Sequence, residues 1–148
     1  MKFTEASLEQ ADIIVDFQMK MALETENFEL NKKTVTAGVK AVFQDKSKGQ
    51  YYVVLDKGRV IASLLTTYEW SDWRNASVLW IQSVYVLPSS RTKGVFRLMY
   101  SALKNMVEQS SKFCGIRLYV DKRNLKAQKV YDKIGMSGVH YILYEDME

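Results

Sequence analysis

The chain has 148 residues, a formal net charge of +4, a hydrophobic fraction of 47%, one cysteine and one histidine. This length favours a single domain, residues 1–148, and the lone cysteine excludes an intrachain disulfide and favours a reducing cytoplasm. The lone histidine excludes a His-rich metal site, so no metal is expected, and neither a signal segment nor an apolar run near the ~20 residues of a membrane span is present.

The mild positive charge is compatible with an anionic cofactor or with weak affinity for nucleic acid. The charged residues are scattered, whereas a dedicated nucleic-acid-binding protein usually carries a denser basic stripe. Cys114 is interpreted as a small core residue at the start of a strand, and His140 as a residue on the face of a strand. Nothing in the sequence gives either one a partner for nucleophilic catalysis.

The first half of the chain predicts two helices followed by a strand hairpin. The capping-box pattern Ser7-x-x-Gln10 opens the first helix, and Asp56-Lys57-Gly58 is a hairpin signal. The predicted elements are a strand over residues 2–6, a helix over 8–23, an acidic segment over 24–29, a second helix beginning near Asn31 or Thr34, strands over 51–55 and 59–68, and an aromatic turn over 70–75.

The second half predicts alternating strands and helices. Apolar residues recur at helical spacing from Val95 onward, and Gly135 is placed to end a later helix. The predicted elements are a strand over 78–87, a helix from Val95, a strand over 113–120, a helix capped by Asn124, and a final strand over 139–144.

These elements predict an α/β (α+β) fold in the order β-α-α-β-β-β-α-β-α-β. The central sheet is expected to be mixed and mostly antiparallel, with six to seven strands and about four helices. The strands over 78–87 and 113–120 are joined through a helix, and such crossovers are right-handed. They should therefore be parallel neighbours.

A basic loop with one glycine, residues 88–94, joins the strand over 78–87 to the helix that begins at Val95. The first N–H groups of a helix lack intrahelical partners and lie at the positive end of its macrodipole. Gly94 allows close approach of backbone to a ligand, and Arg91 and Lys93 add charge, so a phosphate or pyrophosphate is the natural guest. The alternative is a basic loop that only caps a helix, and the loop alone does not decide between the two.

Two motifs are separated by the strand over 113–120. Residues 91–96 match R/Q-x-x-G-x-G/A except at the last position, where Phe96 stands in place of a small residue. Residues 124–136 match N-x-x-A-x-x-x-Y-x-K-x-G-F, with Met136 in place of phenylalanine. Together with the order of strands and helices, these motifs resemble those of the GCN5-related N-acetyltransferase (GNAT) superfamily over almost the whole chain.

The resemblance implies that acetyl-CoA binds between the strand ending at Leu87 and the strand from Phe113, which splay apart in the family. Backbone groups of the first strand would bond the acetyl carbonyl and the pantetheine amides, and N–H groups of the loop would hold the pyrophosphate. The implied cofactor contacts are Val84, Tyr85, Val86, Arg91, Thr92, Lys93, Gly94, Val95, Phe96, Asn124, Ala127, Tyr131 and Lys133.

The resemblance also implies that Tyr131 is the catalytic residue and protonates the departing thiolate. An amine that attacks a thioester develops an oxyanion and then expels a thiolate, so a backbone N–H and a phenol lower the two barriers. Holding both reactants together supplies much of the rest, without a covalent enzyme intermediate. The alternative is that Tyr131 is a core tyrosine, since it lies on the apolar face of its helix.

The acceptor, a small-molecule or peptide amine, is expected between the end of the first helix and the turn over 68–73. Acidic and aromatic residues there suit a cationic amine. Gln82 stands where polyamine-type members often carry an acid, so a carboxylate elsewhere would have to accept the amine's proton. The two tryptophans could equally be contacts of a homodimer. The candidate residues are Glu24, Phe28, Glu69, Trp70, Asp72 and Gln82, with Glu26 as a further candidate base and Trp73 as the second tryptophan.

Three hypotheses follow from the sequence. The first is an acetyl-CoA-dependent N-acetyltransferase. The second is a catalytically silent acyl-CoA binder, if Phe96 and the missing acid have removed turnover. The third is a small nucleic-acid-binding domain, motivated by the basic charge and by aromatic residues expected at the surface, such as Tyr51 and Trp73.

Overall fold

Five strands and four α-helices form in the computed structural model, which describes all residues 1–148. In chain order they are β1 (Lys2–Glu5), α1 (Ala11–Glu26), α2 (Lys32–Gln44), β2 (Gln50–Asp56), β3 (Arg59–Ser71), β4 (Ala76–Val86), α3 (Val95–Glu108), β5 (Phe113–Arg117) and α4 (Leu125–Lys133). The chain divides into a first unit, Met1–Leu118, which holds the sheet and three helices, and a second unit, Tyr119–Glu148, which holds α4. None of the helices combines the length and apolar composition that crossing a membrane requires.

The strands form one sheet in the order β1-β2-β3-β4-β5. Neighbouring strands from β1 to β4 are antiparallel, and only β4 and β5 run parallel. This confirms the predicted mixed, mostly antiparallel sheet and the predicted parallel pair. Lys57 and Gly58, with φ of 50° and 78°, form the tight turn that the hairpin signal between β2 and β3 predicts.

Helices cover both faces of the sheet in the first unit. On one face α3 packs against β2, β3 and β4, and the buried side chains include Leu64, Leu79, Ile81, Val95, Met99 and Leu103. On the other face α1 and α2 pack against the sheet, with Ile14, Phe17, Val39, Val53 and Tyr85 buried. Burying a side chain of this size contributes roughly 1.5–3 kcal/mol, so these two layers supply most of the free energy that orders the sheet.

The first two helices begin close to the predicted positions, and side chains cap both starts. The Ser7 N–H donates to Gln10 Oε1 at 3.0 Å, which is one half of the predicted capping box. The Thr34 N–H donates to Asn31 Oδ1 at 3.0 Å, so Asn31 caps α2. The first helix ends three residues later than predicted, at Glu26, because its last residues are adequate helix formers.

The predicted final strand over residues 139–144 is wrong. Those residues form no strand, and the sheet has five strands rather than six or seven. A strand is stable only when its backbone groups pair with a neighbour, and alternation in the sequence cannot supply that neighbour. His140 therefore lies on an exposed bend and not on a strand face.

Four smaller predictions also need correction. Cys114 was expected in the core, but it is exposed on β5. β3 continues to Ser71, so Glu69 and Trp70 are strand residues rather than turn residues. β5 ends at Arg117 instead of residue 120, because its pairing with β4 stops there. Tyr51 is only 4% exposed, since it packs beneath α1 and α2 and stacks on Phe43.

Replacing Gly49 with alanine should destabilise the first unit. Gly49 precedes β2 with φ of 146°, and a Cβ there would lie 2.4 Å from the Thr66 carbonyl oxygen. We expect Gly49→Ala to lower the free energy of unfolding by roughly 3 kcal/mol through strain and backbone displacement. Gly38→Ala is the matched control, because Gly38 lies within α2 with open space around it. That control should gain ~1 kcal/mol, and equal urea midpoints for the two variants would refute the prediction.

Candidate active site

β4 has partners of unequal length on its two sides. It pairs with β3 from Ala76 to Val86, but with β5 only from Ser77 to Trp80. Beyond the Trp80–Arg117 pair, residues 81–86 have no strand beside them on the β5 side. This half of β4 therefore offers a row of backbone groups that a ligand with amide groups can meet. Val84, Tyr85 and Val86 lie in this row.

A β-bulge interrupts β4 at the start of that row. Ser63 pairs with Tyr85, and Leu65 pairs with Gln82. The two pairs are two residues apart on β3 but three residues apart on β4, so β4 contains one extra residue. Ser83 occupies the left-handed region with φ of 54°, which is uncommon for a serine. A bulge leaves one residue outside the ladder and turns its backbone groups away from the neighbouring strand. The groups of residues 83 and 84 are thus turned out of the β3 ladder.

The loop after β4 has the backbone shape of an anion site. Thr92 and Gly94 adopt left-handed φ values of 64° and 76°, with Lys93 between them. Such alternation points successive N–H groups into one concavity. Gly94 is the N-cap of α3, no side chain caps the helix, and the first intrahelical bond runs from the Leu98 N–H to the Gly94 carbonyl. The predicted loop therefore begins a 14-residue helix with its first turn directed outward.

Arg91 is directed to the other side of the loop, where it holds Glu24. Its Nη2 donates to Glu24 Oε2 at 2.6 Å, and its Nε donates to the Val86 carbonyl at 2.9 Å. The Tyr85 hydroxyl donates to the other Glu24 oxygen at 2.8 Å, and the guanidinium lies 5.5 Å from the Tyr85 ring centre. We call Glu24, Tyr85 and Arg91 the anchor triad. It fixes the start of the loop to the last turn of α1, while the Arg91 N–H is bonded to the Pro88 carbonyl.

The anchor triad alters the acid–base behaviour of its members. Burial acts to raise the pKa of Glu24, but hydrogen bonds from Arg91 and Tyr85 and the charge of Arg91 outweigh it, so the net pKa lies below 4.5. Burial and the neighbouring Glu24 carboxylate raise the pKa of Tyr85 to about 12. Glu24 is therefore a weaker base than an ordinary glutamate, and Tyr85 stays protonated at neutral pH.

Phe96 does not project into the loop concavity. Its ring is half-buried, packs against the α3 side of the core and stacks on Tyr100 with ring centres 6.3 Å apart. The large side chain at the last position of the first motif therefore turns toward the protein, and its backbone remains in the first turn of α3.

The acceptor-side residues of the first unit form separate groups. Glu69 accepts from Arg117 Nη1 at 2.6 Å and from Trp80 Nε1 at 3.3 Å. Gln82 Nε2 donates to Thr67 Oγ1 at 2.8 Å. Glu69 is thus ion-paired to Arg117. Glu24 is a member of the anchor triad and shares no contact with Glu69 or Gln82.

The remaining acceptor-side candidates are at the surface. Asp72 Oδ1 accepts from the Trp73 N–H at 2.9 Å within the turn between β3 and β4. Phe28, Trp70 and Trp73 are all exposed. For Trp73 this agrees with the surface position that the sequence predicts.

The second unit presents the other motif on α4. Asn124 Oδ1 accepts from the Ala127 N–H at 3.1 Å, so Asn124 caps α4 as predicted. Gly135, with φ of 89°, follows the end of the helix. Tyr131 is half-buried, and burial raises the pKa of its phenol above 10.0. Lys133 is exposed in the last turn.

Two surface cavities lie outside the loop and the unpaired part of β4. One of about 330 Å³ is lined by Met19, Lys20, Leu23 and Glu29, at the end of α1 where the acceptor wall was predicted. The other, of about 150 Å³, is lined by residues of α2, β2 and their neighbours. In the first unit, the candidate cofactor surface consists of the unpaired edge of β4 and the loop that follows it.

Sequence reasoning missed the bulge and the anchor triad. The bulge leaves a signal, because the apolar alternation of Leu79 and Ile81 resumes one residue late at Val84 and Val86, and all four face α3. The triad joins Glu24 to residues 61 and 67 positions away, and no local pattern reveals such a contact.

A mixed sheet with a parallel strand pair that stops pairing early, beside the uncapped start of a helix, defines a mixed α/β fold of the acetyltransferase type. The chain belongs to the acetyltransferase (GNAT) family, whose model matches residues 17–136. No curated protein matches the chain.

Solved structures agree with this assignment. A possible acetyltransferase from Clostridium difficile 630 is 40% identical, with a TM-score of 0.93 over 99% of this chain and 97% of its own. A predicted acetyltransferase with acetyl-CoA from Clostridium acetobutylicum has 19% identity and a TM-score of 0.77, over 98% and 95%. A ribosomal-protein-alanine N-acetyltransferase from Brucella melitensis biovar Abortus 2308 has 12% identity and a TM-score of 0.80, over 99% of each chain. The last two show the shared fold alone.

Replacing Glu24 with glutamine should make stability less dependent on pH in the acid range. The folded-state pKa of Glu24 lies below 4.5, so its stabilising contribution is complete above pH 4.5 and is lost as the pH falls through that lowered pKa. We expect Glu24→Gln to cost at most about 1 kcal/mol at pH 7, because the ion pair is partly exposed. The cost should vanish at strongly acid pH.

Urea unfolding at neutral and acid pH measures this difference. Glu26→Gln is the control, because Glu26 takes part in none of the salt bridges of the structure, so its replacement should cost little. A Glu24→Gln penalty that persists unchanged in acid would contradict the charge-based account.

Proposed function

We propose that the whole chain acts as one acyltransferase domain that transfers acetyl from acetyl-CoA to a primary amine of a small molecule or peptide. The transfer is by direct attack while both substrates are bound. The observation that carries the proposal is the unpaired half of β4, which runs through a bulge directly into the anion-binding loop. An acyl carrier such as acetyl-CoA has amide groups along its arm and a pyrophosphate further along. The amides would match the unpaired strand edge, and the pyrophosphate would match the loop.

The residues of the first unit would hold the carrier. Backbone groups of Val84, Tyr85 and Val86 suit the pantetheine amides, and the N–H groups from Thr92 to Phe96 suit the pyrophosphate. Lys93 contributes charge, whereas Arg91 contributes by fixing the loop through Glu24. In the second unit, Asn124, Ala127, Tyr131 and Lys133 enter through their match to the family motif.

Acetyl-CoA supplies acetyl as a thioester, so forming the new C–N bond breaks the C–S bond and leaves a thiolate. A backbone N–H of the bulge would donate to the acetyl oxygen as that oxygen gains negative charge. The Tyr131 phenol would then donate its proton to the thiolate. Burial raises the pKa of that phenol above 10.0, so the proton to be donated is present at neutral pH.

The acceptor amine would meet a surface with exposed aromatic rings and acidic groups. Trp70 and Phe28 could contact a cationic amine through their rings. Asp72 is the remaining candidate base, because its carboxylate accepts only a hydrogen bond within its own turn. Glu69 and Gln82 are already held by Arg117 and Thr67. The acceptor's proton would pass to Asp72 or to water.

The other two hypotheses lose support from the same geometry. Phe96 packs toward the core, so the first motif retains its cradle despite the large residue. Tyr51 is buried, which removes one of the two aromatic residues that motivated nucleic-acid binding. Turnover remains the observation that separates an enzyme from a silent binder.

Acetyl-CoA should stabilise the folded chain, and the effect should depend on the loop. At a hundredfold excess over its Kd, the ligand adds about 2.7 kcal/mol, which corresponds to roughly 9 °C in Tm for a chain of this size. Gly94→Val should abolish this shift, since it strains the loop at φ of 76°. Gly58→Val is the matched control, with φ of 78° and similar open space, and should keep the shift. S-acetylpantetheine, which lacks the pyrophosphate, should give a much smaller shift, and equal shifts with both ligands would argue against the cradle.

Replacing Tyr131 with phenylalanine should reduce turnover while leaving cofactor affinity intact. Loss of a general acid typically costs roughly 100-fold or more in kcat, measured by thiol release with a panel of amines. The Tm shift with acetyl-CoA should be retained. Tyr52→Phe is the control, because Tyr52 is also buried with its pKa raised to about 12 but lies in the core. If both variants turn over at the wild-type rate, Tyr131 is structural.

A further inference from the structure

Two buried polar side chains between α1 and the sheet have atoms without a hydrogen-bond partner. Gln18 on α1 is 8% exposed, and Ser63 on β3 is fully buried. The atoms without a partner are Gln18 Nε2 and Ser63 Oγ. Burying an unpaired polar atom is costly, so native proteins pair nearly all of them. Two such atoms in one interface therefore indicate that a small polar molecule lies between them.

The strand register directs the Ser63 hydroxyl toward α1. Ser63 pairs with Val53 on β2 and with Tyr85 on β4. Both partners are buried in the layer that α1 and α2 cover. Directly paired residues lie on the same face of a sheet, so Ser63 shares the face of its two partners. The hydroxyl therefore lies beneath α1 and α2, on the opposite side of the sheet from α3.

The helical spacing of α1 directs Gln18 toward the same place. Gln18 follows the buried residue Ile14 by four positions, and residues four apart lie on one side of a helix. The preceding residue, Phe17, packs on the Tyr85 ring with ring centres 5.0 Å apart. Since Tyr85 is the register partner of Ser63, the Gln18 amide meets the sheet at the level of Ser63.

We propose that one water molecule bridges Gln18 Nε2 and Ser63 Oγ beneath α1. The amide N–H donates to the water oxygen, and the water forms a second hydrogen bond with the serine hydroxyl, which can donate or accept. Buried waters have roughly two to four polar partners, and these two side chains supply the minimum. A larger ligand does not suit the site, because Ser63 is fully buried and protein interiors are close-packed.

The bridge fixes the position of α1 along the sheet. Most side chains that α1 packs against the sheet are apolar, and apolar contacts have no preferred direction. A hydrogen-bonded bridge is directional and holds one residue of α1 over one residue of β3. Glu24, which binds Arg91 in the anchor triad, follows Gln18 on the same helix, so the bridge also positions that carboxylate. The bridge does not depend on the proposed transfer reaction.

Water–protein NOE spectroscopy of the isotope-labelled chain, at mildly acid pH where proton exchange is slow, tests the bridge directly. A long-lived water should give a cross-peak with the side-chain amide protons of Gln18, which are assigned by their loss in Gln18→Met. The cross-peak should disappear in Ser63→Ala, because the water then loses one of its two partners. The exposed side-chain amide of Gln44 is the control and should give none. A wild-type chain without the Gln18 cross-peak, or a Ser63→Ala chain that keeps it, overturns the proposal.

Urea unfolding tests the same contact through stability. Ser63→Ala should raise the unfolding equilibrium constant about fivefold, which is the loss of one typical hydrogen bond. In the Gln18→Met background the same change should have little effect, because the bridge is already broken. An unpaired hydroxyl behaves in the opposite way, since its removal leaves stability unchanged or increases it. A Ser63→Ala chain at least as stable as the wild type, or an equal effect in both backgrounds, overturns the proposal.

Discussion

The candidate site depends on the mismatch between the two neighbours of β4. β3 bonds β4 along its whole length, which fixes the strand in place, whereas β5 leaves it after Trp80. If β5 paired to the end of β4, the backbone groups of residues 81–86 would be consumed by the ladder. The same mismatch places the end of β4 at the surface, where the following loop can turn into α3. A rigid strand and an open edge are therefore combined in one element.

The anchor triad shows how charge is distributed around the loop. A guanidinium at the loop would be expected to contact a phosphate, yet Arg91 bonds to Glu24 and to the Val86 carbonyl. One exposed ion pair contributes at most about 1 kcal/mol, but the three contacts within the triad and the bond from Arg91 to Val86 together restrict the loop more than they stabilise the fold. Under the proposed function, positioning of backbone N–H groups, more than side-chain charge, would be the main source of affinity for the pyrophosphate.

Most of the fold could be predicted from local patterns. The helix caps at Ser7 and Asn31, the hairpin turn at Gly58 and the periodicity of α3 each depend on residues close in sequence, and each appears in the structure. The run over 139–144 has equally clear strand composition but forms no strand. Strand formation depends on a partner edge, and a partner edge is not a property of the segment itself.

Much of the site could not be predicted, because its geometry arises where local rules are broken. The bulge at Ser83 shifts the alternation of β4 by one residue, so Tyr85 faces α1 while Val84 and Val86 face α3. Without the extra residue, position 85 would point toward α3, and its hydroxyl could not reach Glu24 at the end of α1. The loop would then lose the tyrosine that shares Glu24 with Arg91. One inserted residue in a strand thus both turns backbone groups out of the β3 ladder and sets the contact that holds the loop.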